Sequence, residues 1–247
     1  MSAVSAVSAV AAVAATPTDP VAPGVTHVAP VTHVYCLLDN SASMSGSAAA
    51  TMTGVNQLIT EQKEDEVTGS KMYFSAAFFS LEVAEIIPKQ DIGDVQPLMT
   101  YSCSGGTALN DAICRTITRL ERRTVENEKV LVYIFTDGCE NASKHYTSED
   151  ARRMVEKKKE EGWEFTFMGA NQDAYFEGGK YSINSCMTFE QSTTGISSCF
   201  EKMNAHMSSS KRGFSTTIES VETVEKVTGV KHFLPQEESE RSSKRRK

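Results

Sequence analysis

The chain has 247 residues, 40% of them hydrophobic and 23% charged, with a formal net charge of −7 at pH 7. Such a length supports one domain with a sizeable core plus flanking segments, or two small domains, and the acidic balance gives the core no electrostatic footprint for nucleic acid. No interior run of about 18 strongly apolar residues is present, so no transmembrane helix is expected.

Residues 1–30, "MSAVSAVSAVAAVAATPTDPVAPGVTHVAP", repeat Ser-Ala-Val, turn Pro-rich and contain one charged side chain, Asp19. They lack the positive start and strongly apolar centre of a secretory signal. Ala and Ser bury too little apolar area to offset the entropy of ordering, so a disordered leader is expected and the protein reads as intracellular. The six cysteines (Cys36, Cys103, Cys114, Cys139, Cys186, Cys199) form no Cys-x-x-Cys pair. Unlinked thiols in a reducing compartment are therefore expected, not a zinc site or a disulfide framework.

From Val31 the pattern becomes strands alternating with helices. "VTHVYCLL" (31–38) is the apolar, β-branched run of a strand covered on both faces. Over residues 48–63, Met52, Val55, Leu58 and Ile59 recur at helical spacing. "MYFSAAFFS" (72–80) reads as a second central strand, and Pro88 in the following "LEVAEIIPKQD" suits the edge strand of a hairpin. After Gly105-Gly106, "TALNDAICRTITRLERR" places Ala108, Ile113, Ile117 and Leu120 on one helix face, and "KVLVYIFTD" (129–137) is the clearest buried strand. "TSEDARRMVEKKKEEG" (147–162) opens with a capping-box pattern at Thr147 or Ser148, and its Lys and Glu runs read as a solvated face. "WEFTFMGA" (163–170) and "SINSCMTF" (182–189) are further strands, with Trp163 in the core, and a helix over 193–210 closes the domain.

This alternation predicts an α/β fold over residues 31–212: a doubly wound, mostly parallel sheet with one antiparallel edge strand and helices on both faces. Residues 213–247 turn polar and end in "ESERSSKRRK". A disordered tail is expected there, with a basic cluster whose composition suits nuclear import or contact with an anionic surface.

In open α/β sheets ligands sit beyond the carboxyl ends of the strands, where strand order reverses. Three segments bring oxygen-bearing side chains to that edge: Asp39-x-Ser41-x-Ser43, Thr107 after two glycines, and Asp137-Gly138. Singly, Ser43 or Thr107 reads as a helix cap and Asp137-Gly138 as a turn. Together they suit a hard cation, since magnesium takes about six oxygens near 2.0–2.1 Å and keeps several waters. Asn110 and Asp111 lie just inside the helix after Thr107, where Asp111 either holds the loop or is an ordinary first-turn acid. The five histidines are dispersed, and none is expected as a ligand.

"DNSAS", "GGTALNDAI" and "IFTDG", in that order, resemble the metal-ion-dependent adhesion site (MIDAS) of von Willebrand factor A domains. "FMGANQDA" resembles bacterial and phage-type members, and the likeness spans about residues 31–210. The resemblance implies that Ser41 and Ser43 bind metal directly, Thr107 directly or through water, and Asp39 and Asp137 mainly through water or as outer acceptors. It implies magnesium, with manganese or calcium as substitutes, completed by an Asp or Glu of a partner protein, and hence a binding module and not an enzyme. Cys139 beside the third segment is unusual for that pattern. Two other readings compete. One is a magnesium phosphohydrolase with Asp39 as nucleophile, but Ser41 stands where that chemistry wants a second acid, and no phosphate loop or nucleophile elbow is present. The other is a scaffold subunit with a structural metal site.

Overall fold

The segment Val31–Asp39 forms strand β1, buried from Thr32 onward. Val34, Cys36 and Leu38 enter one apolar layer while Tyr35 and Leu37 enter the other, because successive strand residues point to opposite faces. A strand with both faces apolar belongs in the middle of a sheet. The computed structural model describes residues 31–67, 69–171 and 173–212, so the expected leader and tail lie outside the described residues.

Among the described residues five more strands join β1: β2 (Lys71–Phe79), β3 (Val83–Asp91), β4 (Glu128–Thr136), β5 (Glu164–Ala170) and β6 (Ser185–Phe189). Their order is β3-β2-β1-β4-β5-β6. The β2–β3 pair is antiparallel and the other pairs are parallel. The chain runs outward from β1 through β2 and β3, then crosses to β4 on the other side of β1. That reversal opens a crevice at the carboxyl ends of β1 and β4. Register keeps these ends level, with Asp39 opposite Phe79 and Leu38 opposite Phe135.

Helices α1 (Ala48–Glu64) and α5 (Thr193–Lys211) cover one face of the sheet. Helices α2 (Leu109–Glu121), α3 (Ser148–Glu160) and α4 (Ala174–Gly179) cover the other. Helix α1 approaches α5 closely at Gly54, where a Cβ would lie 2.2 Å from the Phe200 ring. The capping box of α3 uses Thr147, whose hydroxyl accepts from Asp150 N while the Asp150 carboxylate accepts from Thr147 N.

The fold class is the expected one, with most element ends shifted by no more than two residues, the usual scatter at fraying termini, and the last strand starting three residues later than expected, at Ser185. Two details differ. Helix α4 was not anticipated, since six residues are too few for a 3.6-residue period to register; Asp173 starts it by accepting from the Tyr175 and Phe176 N–H groups. The Lys and Glu run of α3 is not uniformly solvated either. Lys158 is buried, its ammonium between Glu121 (2.8 Å) and Glu161 (2.5 Å) and 5.1 Å from the ring centre of Trp163. Trp163 is itself buried, and no disulfide joins the six cysteines.

Candidate metal centre

Asp39 ends β1 and is fully buried. Its Oδ1 accepts from Ser41 N at 2.7 Å, and its Oδ2 accepts from the Thr136 hydroxyl at 2.5 Å. Thr136, the last residue of β4, also accepts from Gly138 N at 3.1 Å. One carboxylate thus bends the β1 loop back and fastens it to the neighbouring strand. Beyond Ser41 the backbone winds into a short 3-10 helix, Ala42–Gly46, which takes the place of strand alternation and leaves Ser41 and Ser43 side by side, with 3.0 Å between their hydroxyl oxygens. The Ser43 hydroxyl donates to Asp137 Oδ1 at 2.6 Å. Its proton is therefore committed, and Ser41 is the donor between the two serines.

The middle segment is held from both sides. Gly105 adopts φ +76°, a left-handed conformation that glycine takes without steric cost, and its carbonyl accepts from Ala42 N at 3.0 Å. Thr107 N donates to Asn141 Oδ1, and Asn141 N donates back to the Thr107 carbonyl, both at 3.0 Å. The buried Thr107 hydroxyl lies 3.0 Å from where a Cβ on residue 138 would stand, so Gly138 makes room for it. Asp39, Ser41, Ser43 and Asp137 form one hydrogen-bonded group, with Thr107 packed against its Asp137-Gly138 turn.

Asp111 resolves the two roles left open for it. Its carboxylate accepts from Lys144, His145 and Tyr146 N–H groups at 2.8–3.1 Å and so holds the loop after β4. Burial raises its pKa, but these three donors outweigh burial and keep the carboxyl below the usual range. Asn110 Oδ1 accepts from the Tyr181 hydroxyl at 2.9 Å.

Burial is the main cause that pushes the Asp39 carboxyl above the usual carboxylate range, against the pull of the Thr136 and Ser41 hydrogen bonds, and the nearby Asp137 charge adds to it. Among the described residues no Lys, Arg or His forms an ion pair with Asp39 or Asp137. A hard divalent cation fits this donor set: hydroxyl and carboxylate oxygens, two acids, and no counter-ion among the described residues. A soft ion does not fit. No group of three or more His, Cys, Asp and Glu is placed to hold a metal among the described residues. The nearby Cys103 and Cys139 thiols are held above their usual pKa, chiefly by burial. Both oxygens of Asp39 and both of Asp137 accept from protein donors, which leaves the Ser41, Ser43 and Thr107 hydroxyls for direct contact and the carboxylates for water-bridged or outer contact. Ser43 is exposed and Asp137 half-buried, so the group opens to solvent.

Two contributors escaped the sequence reading. Thr136 looked like a routine strand residue. Gln191, in the loop after β6, donates from its side-chain amide to Asp137 Oδ2 at 2.7 Å, and nothing in its local sequence marks it.

No family model matches the chain, and no curated protein matches it by sequence. Solved structures do match. The vWF domain of the type V pili tip protein Mfa5 from Porphyromonas gingivalis gives a TM-score of 0.59 at 8% identity, covering 77% of this chain and 99% of that one. The pilus adhesin SpaC from Lactobacillus rhamnosus GG gives 0.57 at 14% identity over 75% of this chain and 31% of that chain. Proximal thread matrix protein 1 from the mussel byssus, with a zinc-occupied MIDAS motif, gives 0.54 at 16% identity over 74% of this chain and 47% of that chain. The chain thus spans about half the length of the mussel protein. The likeness is one of fold: this chain has the architecture of a von Willebrand factor A domain.

Proposed function

We propose that this chain is a metal-dependent protein-binding module, in which a magnesium ion at Ser41, Ser43 and Thr107, steadied by Asp39 and Asp137, is completed by an Asp or Glu of a partner protein. One observation carries the reading: a buried carboxylate and a half-buried one lie with hydroxyl donors at the sheet's switch point, and no cationic side chain among the described residues pairs with them. The zinc-occupied motif of the mussel neighbour supports a divalent ion at this place in the fold. Manganese or calcium would serve as substitutes.

The bound cation supplies a concentrated positive charge that attracts oxygen anions. The chain's part is to keep that charge incompletely neutralised. Ser41, Ser43 and Thr107 offer neutral oxygens, and Asp39 is turned toward Ser41 N and Thr136. An anionic oxygen from outside then remains attractive. The same geometry speaks against a phosphohydrolase, because an Asp39 nucleophile would have to abandon both hydrogen bonds and no second acid stands at position 41.

Calorimetric titration of the full chain with Mg²⁺ and Mn²⁺ tests the proposal, followed by partner capture with and without chelator. Saturable binding that Ser43→Ala and Asp137→Ala abolish is expected. A wild type that binds neither ion at millimolar concentration, or a partner complex that survives excess chelator, would sink the reading.

A further inference from the structure

Gln191 and Asn171 stand outside the three segments, yet they form a relay that ends on Asp137. Asn171 follows β5 at φ +49°, a conformation that Asn accepts more readily than most residues. Its backbone N–H donates to the Phe189 carbonyl at 2.9 Å, joining the ends of β5 and β6. Its side-chain oxygen accepts from Gln191 N at 3.0 Å, and its side-chain NH₂ donates to Gln191 Oε1 at 3.2 Å. The Gln191 NH₂ then donates to Asp137 Oδ2 at 2.7 Å.

The direction of this relay is dictated at both ends. A backbone N–H only donates, so the Asn171 oxygen must face it and the Asn171 NH₂ must face Gln191. A carboxylate only accepts, so the Gln191 NH₂ must face Asp137. The two requirements agree, and neither amide is free to flip. Asp137 is consequently held between two donors, Ser43 from the β1 loop on Oδ1 and Gln191 from the β6 loop on Oδ2.

We propose that Gln191, braced by Asn171, is a positioning residue that orients the Asp137 carboxylate and thereby sets the cation affinity of the centre. The inference rests on the reading of that centre as a divalent-cation site. Outer contacts to metal-site residues typically change affinity by about 10–100-fold. This one lies at the solvent edge, so about tenfold is expected.

The experiment is Mn²⁺ binding to the full chain, followed by calorimetry and by the electron paramagnetic resonance signal of the bound ion. Gln191→Ala and the near-isosteric Gln191→Met should each weaken binding about tenfold and alter the spectrum of the ion that still binds. Asn171→Gly, which keeps the left-handed backbone unstrained, should weaken it about threefold. Combining it with Gln191→Ala should be no worse than Gln191→Ala alone, because Asn171 acts through Gln191. Thermal unfolding in excess chelator should stay close to wild type for all variants. Unchanged or tighter binding in both Gln191 variants would overturn the proposal, and so would wild-type behaviour of Gln191→Met alone, which would assign Gln191 a packing role. A wild type with no saturable Mn²⁺ binding would instead overturn the cation reading itself, and this inference with it.

Discussion

At the amino ends of the parallel strands, Glu128 meets the Lys89 ammonium at 2.6 Å and Lys158 sits between Glu121 and Glu161. Lys211, its pKa pulled down by burial, donates to the carbonyls of Gln62 (2.8 Å) and Asp65 (3.0 Å). At the carboxyl ends, Asp39 and Asp137 share a site with hydroxyls and a side-chain amide, and among the described residues no cationic side chain pairs with them. Burying a charge is costly unless it is paired. The fold meets that requirement internally at one edge; at the other, the proposed cation would meet it. A charge deficit confined to one end of a sheet marks the working end more specifically than the presence of acids does.

The largest effect should come from breaking the self-sufficient edge. Lys89→Ala strands Glu128, whose side chain has 0% exposure, and should cost about 3–5 kcal/mol, read by urea unfolding in chelator. Cation affinity should not change; a parallel loss would mean that the two ends are coupled and the comparison fails. Ser43→Ala and Asp137→Ala probe the other edge. They should weaken Mg²⁺ binding by about a hundredfold, the upper range for an outer contact such as Asp137 and a lower bound for Ser43 at the ion. Stability of the metal-free protein should move by less than about 1 kcal/mol, since no paired buried charge is lost.

Asp111→Asn sharpens the contrast, because Asp111 is a buried acid near the site that is satisfied by backbone donors. It should cost about 2 kcal/mol at neutral pH, the scale of hydrogen bonds to a charged group. The sign with pH follows from its lowered pKa. The contribution is present above the unfolded value of about 3.9 and fades as pH falls through the lower folded value. Wild type and variant should therefore converge in strong acid; a gap that persists there would show that the loss is not electrostatic. The smallest effect belongs to a solvated pair. Arg152→Ala removes an exposed contact to Glu156 at 3.0 Å and should change stability by about 0.5 kcal/mol or less.

Much of the fold was legible because its signals are local. The two-faced apolar run of β1, the Pro88 edge strand and the Thr147 cap each follow from residues within a few positions of one another. The three acidic and hydroxyl segments were legible for the same reason, and the parallel α/β pattern told where their ends would meet. Lys158 was misread because composition reports a charged helix face, while its burial depends on Glu121 of α2, distant in sequence, and on how Trp163 packs beside it.

The amino-acid sequence by itself determined the succession of strands and longer helices along the chain and the oxygen-rich ends of β1 and β4, through periodicity and turn chemistry that act over two to four residues. Tertiary structure alone decided that Asp39 turns inward to Thr136, 97 positions away, and that Gln191 reaches Asp137 across 54. The physical reason is that a hydrogen bond needs only closeness in space, and residues that far apart along the chain leave no periodic trace of their meeting.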